Sequence, residues 1–183
     1  MNQELGLIEK ATRIAVIAHV NQKRKNDGSP YVVHPFIVAM KLVKYNFSDA
    51  VIAAALVHDV LEDTDVTEQE LRDKLGNEVV DMVKMVTNDD TLSWRDKKIK
   101  YVETVRNGSD EAKAISIADK IHNMEDLLFT YSQIGPEVWK KFSNKREEKL
   151  WFEEEMLKMF KETWSHPLID EYERLMEQMR KTQ

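Results

Sequence analysis

The sequence predicts an all-α fold, a multi-helix bundle. Proline and glycine are scarce, four and five in 183 residues, so helix breakers are few. Apolar residues recur at three- and four-residue steps almost throughout, and strand-like alternation is rare. Hydrophobic residues make up 42% and charged residues 33%, which supplies one buried core and argues against a disordered chain.

The elements follow in order. A first helix over about 4–19 turns Leu5, Ile8, Ala11, Ala15 and Ala18 or His19 inward. Residues 21–31 are polar, basic and glycine-containing, which makes a loop. His34-Pro35 opens a second helix to about 45, because a proline in the first turn removes no intrahelical donor. Ser48 caps a third helix to about 61. Its run 51–57 is apolar on nearly every side, so this helix is expected at the centre. Thr67 and Glu70 form a capping box for a fourth helix, which Gly76 ends. A fifth covers about 77–86 and stops at Asn88-Asp89-Asp90. A sixth, amphipathic and basic, covers about 94–105 and is followed by the turn Asn107-Gly108-Ser109. The seventh, about 110–129, is a second central helix with Ala114, Ile117, Ala118 and Ile121 inside. Gly135-Pro136 starts another to about 164, with a break near Ser143, and His166-Pro167 is a turn before a terminal helix over about 168–179. No repeat or long linker divides the chain. Residues 1–183 therefore read as a single domain, with the helices from about 136 packing on it.

Composition excludes several functions. Cysteine is absent, so disulfide and thiolate chemistry cannot occur, and any metal must be held by other donors. That absence fits a reducing cytoplasm. The first residues carry no signal-peptide pattern, and the longest apolar run is too short to span a bilayer, so no membrane association is expected. Formal net charge is −6, which disfavours a long nucleic acid as partner. Basic residues gather locally, at Lys23-Arg24-Lys25, at Lys97-Lys98 and at Lys145-Arg146, and suit a small polyanion. No glycine-rich phosphate loop and no serine nucleophile elbow is present. The runs Glu147-Glu148 and Glu153-Glu154-Glu155 read as a solvated helix face, and the four tryptophans as core packing.

The chemistry concentrates where apolar helices end in charge. Val57-His58-Asp59-Val60 follows the apolar run directly, and Glu62 and Asp63 follow one turn later. So many carboxylates at the inner end of a central helix need a compensating cation. Asp119 interrupts a second apolar helix, with Asn123 one turn on along the same face. His122 is rotated about 60° from Asp119 and reads as off the site. His34, between the loop and Pro35, is the third contributor, although a histidine there also serves as a turn or cap residue. His19 reads as a core or cap residue. If helices two, three and seven meet, His34, His58, Asp59 and Asp119 grip one divalent ion. Mixed nitrogen and oxygen donors favour manganese or iron, with nickel, zinc or magnesium as alternatives. Glu62 and Asp63 are then placed to handle the attacking water, and Asn123 to orient a ligand or phosphate. Lys23, Arg24 and Lys25 stand in the loop before His34, at the expected mouth of the pocket.

These residues resemble the HD-domain phosphohydrolase superfamily, and more narrowly the hydrolase domain of the RelA/SpoT family in its small stand-alone form. The matching blocks are Gly28-Ser29-Pro30-Tyr31-Val32-Val33-His34-Pro35, then 54–64 around His58-Asp59 and Glu62-Asp63, then Ile117-Ala118-Asp119-Lys120-Ile121-His122-Asn123. Leu75-Gly76 stands where that family has Phe-Gly. The resemblance implies a manganese-dependent enzyme that removes the 3′-pyrophosphate from guanosine tetra- and pentaphosphate. It implies His34, His58, Asp59 and Asp119 as metal ligands, and Glu62, Asp63 and Asn123 as catalytic residues. Arg24 and Lys25 would line the nucleotide pocket, Lys97 would face the far phosphates, and no synthetase half would follow. Monomer and homodimer are both open. Three stretches depart from the family: Val86-Thr87-Asn88-Asp89 lacks the lysine usual there, Lys120-Ile121-His122-Asn123 stands for Arg-Leu-His-Asn or Lys-Leu-Tyr-Asn, and the segment from Asn88 to Val105 is short and differently charged. These changes touch the substrate side more than the metal side and keep two alternatives in view. One is an HD-type hydrolase of another nucleotide or phosphate ester. The other is a non-catalytic binding or regulatory module.

Overall fold

The computed structural model describes residues 5–25, 27–141 and 146–183. The expected helix start at Glu4, the break near Ser143 and Lys145 of the third basic cluster lie outside them. Ten α-helices form the described fold: α1 (Leu7–Ala18), α2 (Val33–Lys44), α3 (Asp49–Leu56), α4 (Val60–Asp63), α5 (Glu68–Leu75), α6 (Asn77–Val86), α7 (Trp94–Asn107), α8 (Asp110–Ile134), α9 (Arg146–Thr163) and α10 (Pro167–Arg180). A 3₁₀ helix, Gly135–Lys141, follows α8. No strand occurs among the described residues. Lys23 and Pro30 make an isolated antiparallel bridge that closes the loop between α1 and α2.

The centre is built from α3 and α8. Residues 51–56 of α3 are all buried, against α1, α2, α6 and α8. Ser48 starts this helix by accepting the Val51 N–H. Ser109 does the same for α8 through Ala112 N–H, and Thr67 with Glu70 completes the capping box of α5. α8 has 25 residues, so it is ~37 Å long. It receives α2, α6, α7 and, toward its C-terminal end, α10.

Four expectations are corrected. The third helix does not continue to about residue 61. α3 ends at Leu56, and Val57, His58 and Asp59 form a turn before the single-turn α4. The His58 ring explains the break. Its Nδ1 lies 2.8 Å from the Ala55 carbonyl, the acceptor that a continuing helix would offer to the Asp59 N–H. Val57 and Val60 instead bond three residues back, tightening the chain. The seventh predicted helix, α8, runs five residues beyond 129, because nothing before Gly135 stops it. Gly135, at φ 61°, ends it in a conformation that only glycine adopts cheaply. The following Pro136 lies in the 3₁₀ helix rather than in a long α-helix.

The acidic face of α9 is the fourth. Glu153 is 2% exposed, not solvated. Its carboxylate accepts the Tyr172 hydroxyl of α10 at 2.5 Å and the Lys149 ammonium at 3.0 Å. A buried carboxylate with two donors is tolerated. Trp94, Trp139, Trp151 and Trp164 all pack against the core edge, as expected.

Candidate functional site

His34, His58 and Asp59 form a buried group whose ligand atoms lie within 4.8 Å of one another. His34 reaches it from the first turn of α2, and His58 and Asp59 from the turn between α3 and α4. Asp119, from the middle of α8, adjoins: its Oδ1 is 3.0 Å from His34 Nε2 and 3.8 Å from His58 Nε2. His34 Nε2 is also 3.5 Å from Asp59 Oδ2. The three-residue group thus has Asp119 beside it, within ion-pair distance of both histidines but outside the group itself.

His58 shows what the group is suited to. Its Nδ1 is engaged by the Ala55 carbonyl, which directs Nε2 inward. That Nε2 is buried and has no hydrogen-bond partner, although Asp59 Oδ1 stands 3.2 Å away. A buried nitrogen aimed at carboxylates without a bond between them fits a shared cation. Two imidazoles and neighbouring carboxylates suit a first-row divalent ion, so the residues fit one. Without a cation the charges fall on the protein. Burial opposes ionisation of Asp59, but His58 and His34 outweigh it and lower its pKa. Asp119 is held well below the usual carboxylate range in the same way, burial being outweighed by Lys120 and the two histidines. For His58, burial disfavours the imidazolium, but Asp59 and Asp119 push its pKa up to about 9.

A second ring of residues orients the first. The Tyr31 hydroxyl donates to Asp59 Oδ2 at 2.6 Å. Lys120 Nζ lies 2.7 Å from Asp119 Oδ2, and Asn123 Nδ2 donates to Asp119 Oδ1 at 2.5 Å. Arg24 in turn donates to Asn123 Oδ1 at 3.1 Å and pairs with Asp126 at 2.6 Å. His122 stacks on His34 with the two Nδ1 atoms 2.7 Å apart. Burial and His34 lower the His122 pKa to about 4, so it is neutral and able to accept the His34 Nδ1–H.

Glu62 and Asp63 border the same pocket. The Glu62 carboxylate is fixed by Asn88, whose backbone N–H and Nδ2 both donate to it, at 3.0 and 2.9 Å. Asp63 carries a raised pKa, from burial and from the Asp59 charge. Tyr31, Asp63 and Asn123 also border a neighbouring cleft of about 420 Å³ with Lys23, Arg24, Lys25 and Lys149. Lys97 points elsewhere, to Asp90 at 2.5 Å. Its neighbour Lys98 turns inward to Asn88 Oδ1 at 3.1 Å, and burial with the Lys120 charge lowers its pKa to about 8.

Sequence reading passed over Tyr31, Lys120, Lys149 and the contact role of His122. For His122 the signal was available, because residues three apart on a helix are neighbours. His19 is buried at the end of α1, its Nδ1 2.7 Å from Gln22 Oε1. His166 caps α10 and stacks on Trp164.

Comparison with known proteins agrees with this geometry. The family described as HD domain matches residues 11–147. The guanosine-3′,5′-bis(diphosphate) 3′-pyrophosphohydrolase MESH1 of Homo sapiens is 37% identical over 142 residues, covering 76% of this chain and 77% of that protein. Its Xenopus tropicalis counterpart is 36% identical over the same shares. A solved structure, titled as a metazoan orthologue of SpoT that hydrolyses ppGpp, superposes with a TM-score of 0.81 at 26% identity, covering 97% of this chain and 98% of that one. The chain therefore belongs to the HD-domain family and is related to the guanosine polyphosphate hydrolases of RelA/SpoT type.

Proposed function

We propose that this protein is a manganese-dependent guanosine-3′,5′-bis(diphosphate) 3′-pyrophosphohydrolase that also accepts the pentaphosphate analogue. Its substrate is a small phosphorylated nucleotide of the cytoplasm. The observation that carries the reading is the junction of a buried His34–His58–Asp59 group with a cationic cleft that shares Tyr31, Asp63 and Asn123 with it. Relatives named for this activity, with about three quarters of the chain aligned, support the choice of substrate.

His34, His58, Asp59 and Asp119 would hold the ion. The ion supplies Lewis acidity, lowering the pKa of water and neutralising phosphoryl charge. Asp63, its pKa raised, is the better placed of the two acids to accept the proton of the attacking water. Glu62, pinned by Asn88, fixes the direction of approach. Asn123 holds Asp119 and connects it to Arg24. Arg24 and Lys25 would bind the nucleotide, and Lys97 would face outlying phosphates only by leaving its partner Asp90. Water adds to the inner phosphorus of the 3′-diphosphate as Asp63 takes its proton, the bond to the 3′ oxygen breaks, that oxygen takes up a proton from solvent, and GDP or GTP leaves with pyrophosphate. We read 1–183 as one hydrolase domain, with the helices from about 136 as part of it.

Guanosine tetraphosphate incubated with the manganese-loaded protein should yield GDP and pyrophosphate in equal amounts. Phosphate release from other nucleotides, with the tetraphosphate left intact, would overturn the substrate assignment and leave a different HD-type hydrolase.

A further inference from the structure

The cleft beside the metal pocket receives one wall from outside the region that defines the family. The family match ends at residue 147, yet Lys149 of α9 borders the cleft together with Lys23, Arg24 and Lys25 from the loop after α1. Four cationic side chains and one carboxylate, Asp63, border the cleft, with Asp126 and Glu153 pairing Arg24 and Lys149 from behind, which leaves a net positive lining in a chain whose net charge is −6. That local reversal of sign marks a site for a polyanion. The volume, about 420 Å³, suits a nucleotide-sized group.

Lys149 is a held cation. Its ammonium lies 3.0 Å from Glu153 Oε1, and its side chain is 22% exposed. Glu153 is itself buried and fixed by the Tyr172 hydroxyl of α10. Burying a glutamate is costly, and Glu153 is offset by two partners: the Tyr172 hydroxyl, which ties α9 to α10, and the Lys149 ammonium, which it holds at the border of the cleft. Arg24, which also borders the cleft, is held in a comparable way by Asp126 and Asn123. Holding both cations in place limits the side-chain entropy lost when an anion arrives.

We propose that Lys149, positioned by Glu153 and Tyr172, binds the 5′-diphosphate of the nucleotide, the phosphate group remote from the bond that is cut. The proposal rests on the hydrolase reading for the identity of the nucleotide. It assigns α9 and α10 a role in substrate discrimination: they reward substrates phosphorylated at both ends.

The test uses GDP and guanosine as probes, titrated by calorimetry and by NMR into the full-length manganese-loaded protein, so no turnover is needed. Lys149→Met should weaken GDP binding by about tenfold or more, the scale of one charge-assisted hydrogen bond. Guanosine binding should be unchanged, and Lys149→Arg should restore most of the GDP affinity. The wild-type loss of GDP affinity with added salt should be shallower in Lys149→Met. Equal GDP affinity in wild type and Lys149→Met overturns the proposal. So does an equal loss for GDP and guanosine, which marks a structural role, and so does failure of the wild type to bind GDP. Hydrolysis of the tetraphosphate is a separate readout: its absence would sink the substrate assignment, whereas an unaltered GDP isotherm would sink only the role of Lys149.

Discussion

Residues 56–63 and the middle of α8 both carry polar groups from an apolar helix into the site, and they do it by opposite means. In α8 the helix is unbroken, so Asp119 and Asn123 share a face by being four residues apart. Between α3 and α4 the helix is interrupted, so two consecutive residues, His58 and Asp59, face the same point. Consecutive residues on a continuous helix diverge by about 100°, which would send one of the two away. The interruption is made by His58 itself, through its bond to the Ala55 carbonyl. A candidate ligand that also breaks its own helix gives a denser donor set than regular structure allows. The helical side gains something else, a row of supporting groups: Lys120, His122 and Asn123 all bear on the ligands from one turn.

The largest effect should come from the interrupted side. Asp59→Ala removes a ligand from the dense pair and leaves His58 facing one carboxylate fewer. Manganese binding and hydrolysis should fall by at least about a hundredfold, measured by calorimetry and pyrophosphate release. Near-wild-type turnover would break the comparison outright. On the helical side, His122→Ala should weaken manganese binding about 10- to 100-fold by freeing the His34 ring. His122→Gln, which keeps an acceptor, should recover part of that loss, and indistinguishable Ala and Gln variants would mean that His122 only fills space.

Protonation separates the two sides further. In the metal-free protein the His58 pKa stands at about 9, above the value of about 6.5 expected when unfolded. The proton therefore stabilises the metal-free fold fully below about pH 6.5, and that contribution disappears as pH rises through about 9. The entering ion must displace this proton. Manganese affinity should accordingly rise by up to about tenfold per pH unit between about 7 and 9, with proton release visible as a buffer-dependent heat. A flat profile over that range would contradict the charge assigned to His58. The smallest effect belongs to the caps. Ser48→Ala and Ser109→Ala should each cost about 1 kcal/mol in chemical denaturation while leaving manganese affinity in place.

Most of this could be read in the sequence because it depends on local rules. Helical periodicity, Thr67 with Glu70, Ser48, Ser109 and Gly76 mark their elements directly, and charged residues ending apolar runs mark the site. The turn at 57–59 could not be read, because a side-chain-to-backbone bond decided it while the apolar run before it and Val60-Leu61 after it kept a helical pattern. Glu153 was misread for a related reason. A glutamate among glutamates looks solvated until Tyr172, 19 residues on, is folded against it. Lys149 is near Arg24 only in space, so no spacing rule could place it at the cleft.

The length of α8 makes tolerance to insertion and deletion uneven along the molecule. Adding one residue upstream of Asp119 within this rod would swing every later side chain by about 100° and shift it by ~1.5 Å. Asp119, Asn123 and the seat of α10 would lose alignment together. An extra residue between α5 and α6 or after α10, away from the site, would be absorbed locally. Natural variation in chain length should therefore collect around the rod and leave its register untouched.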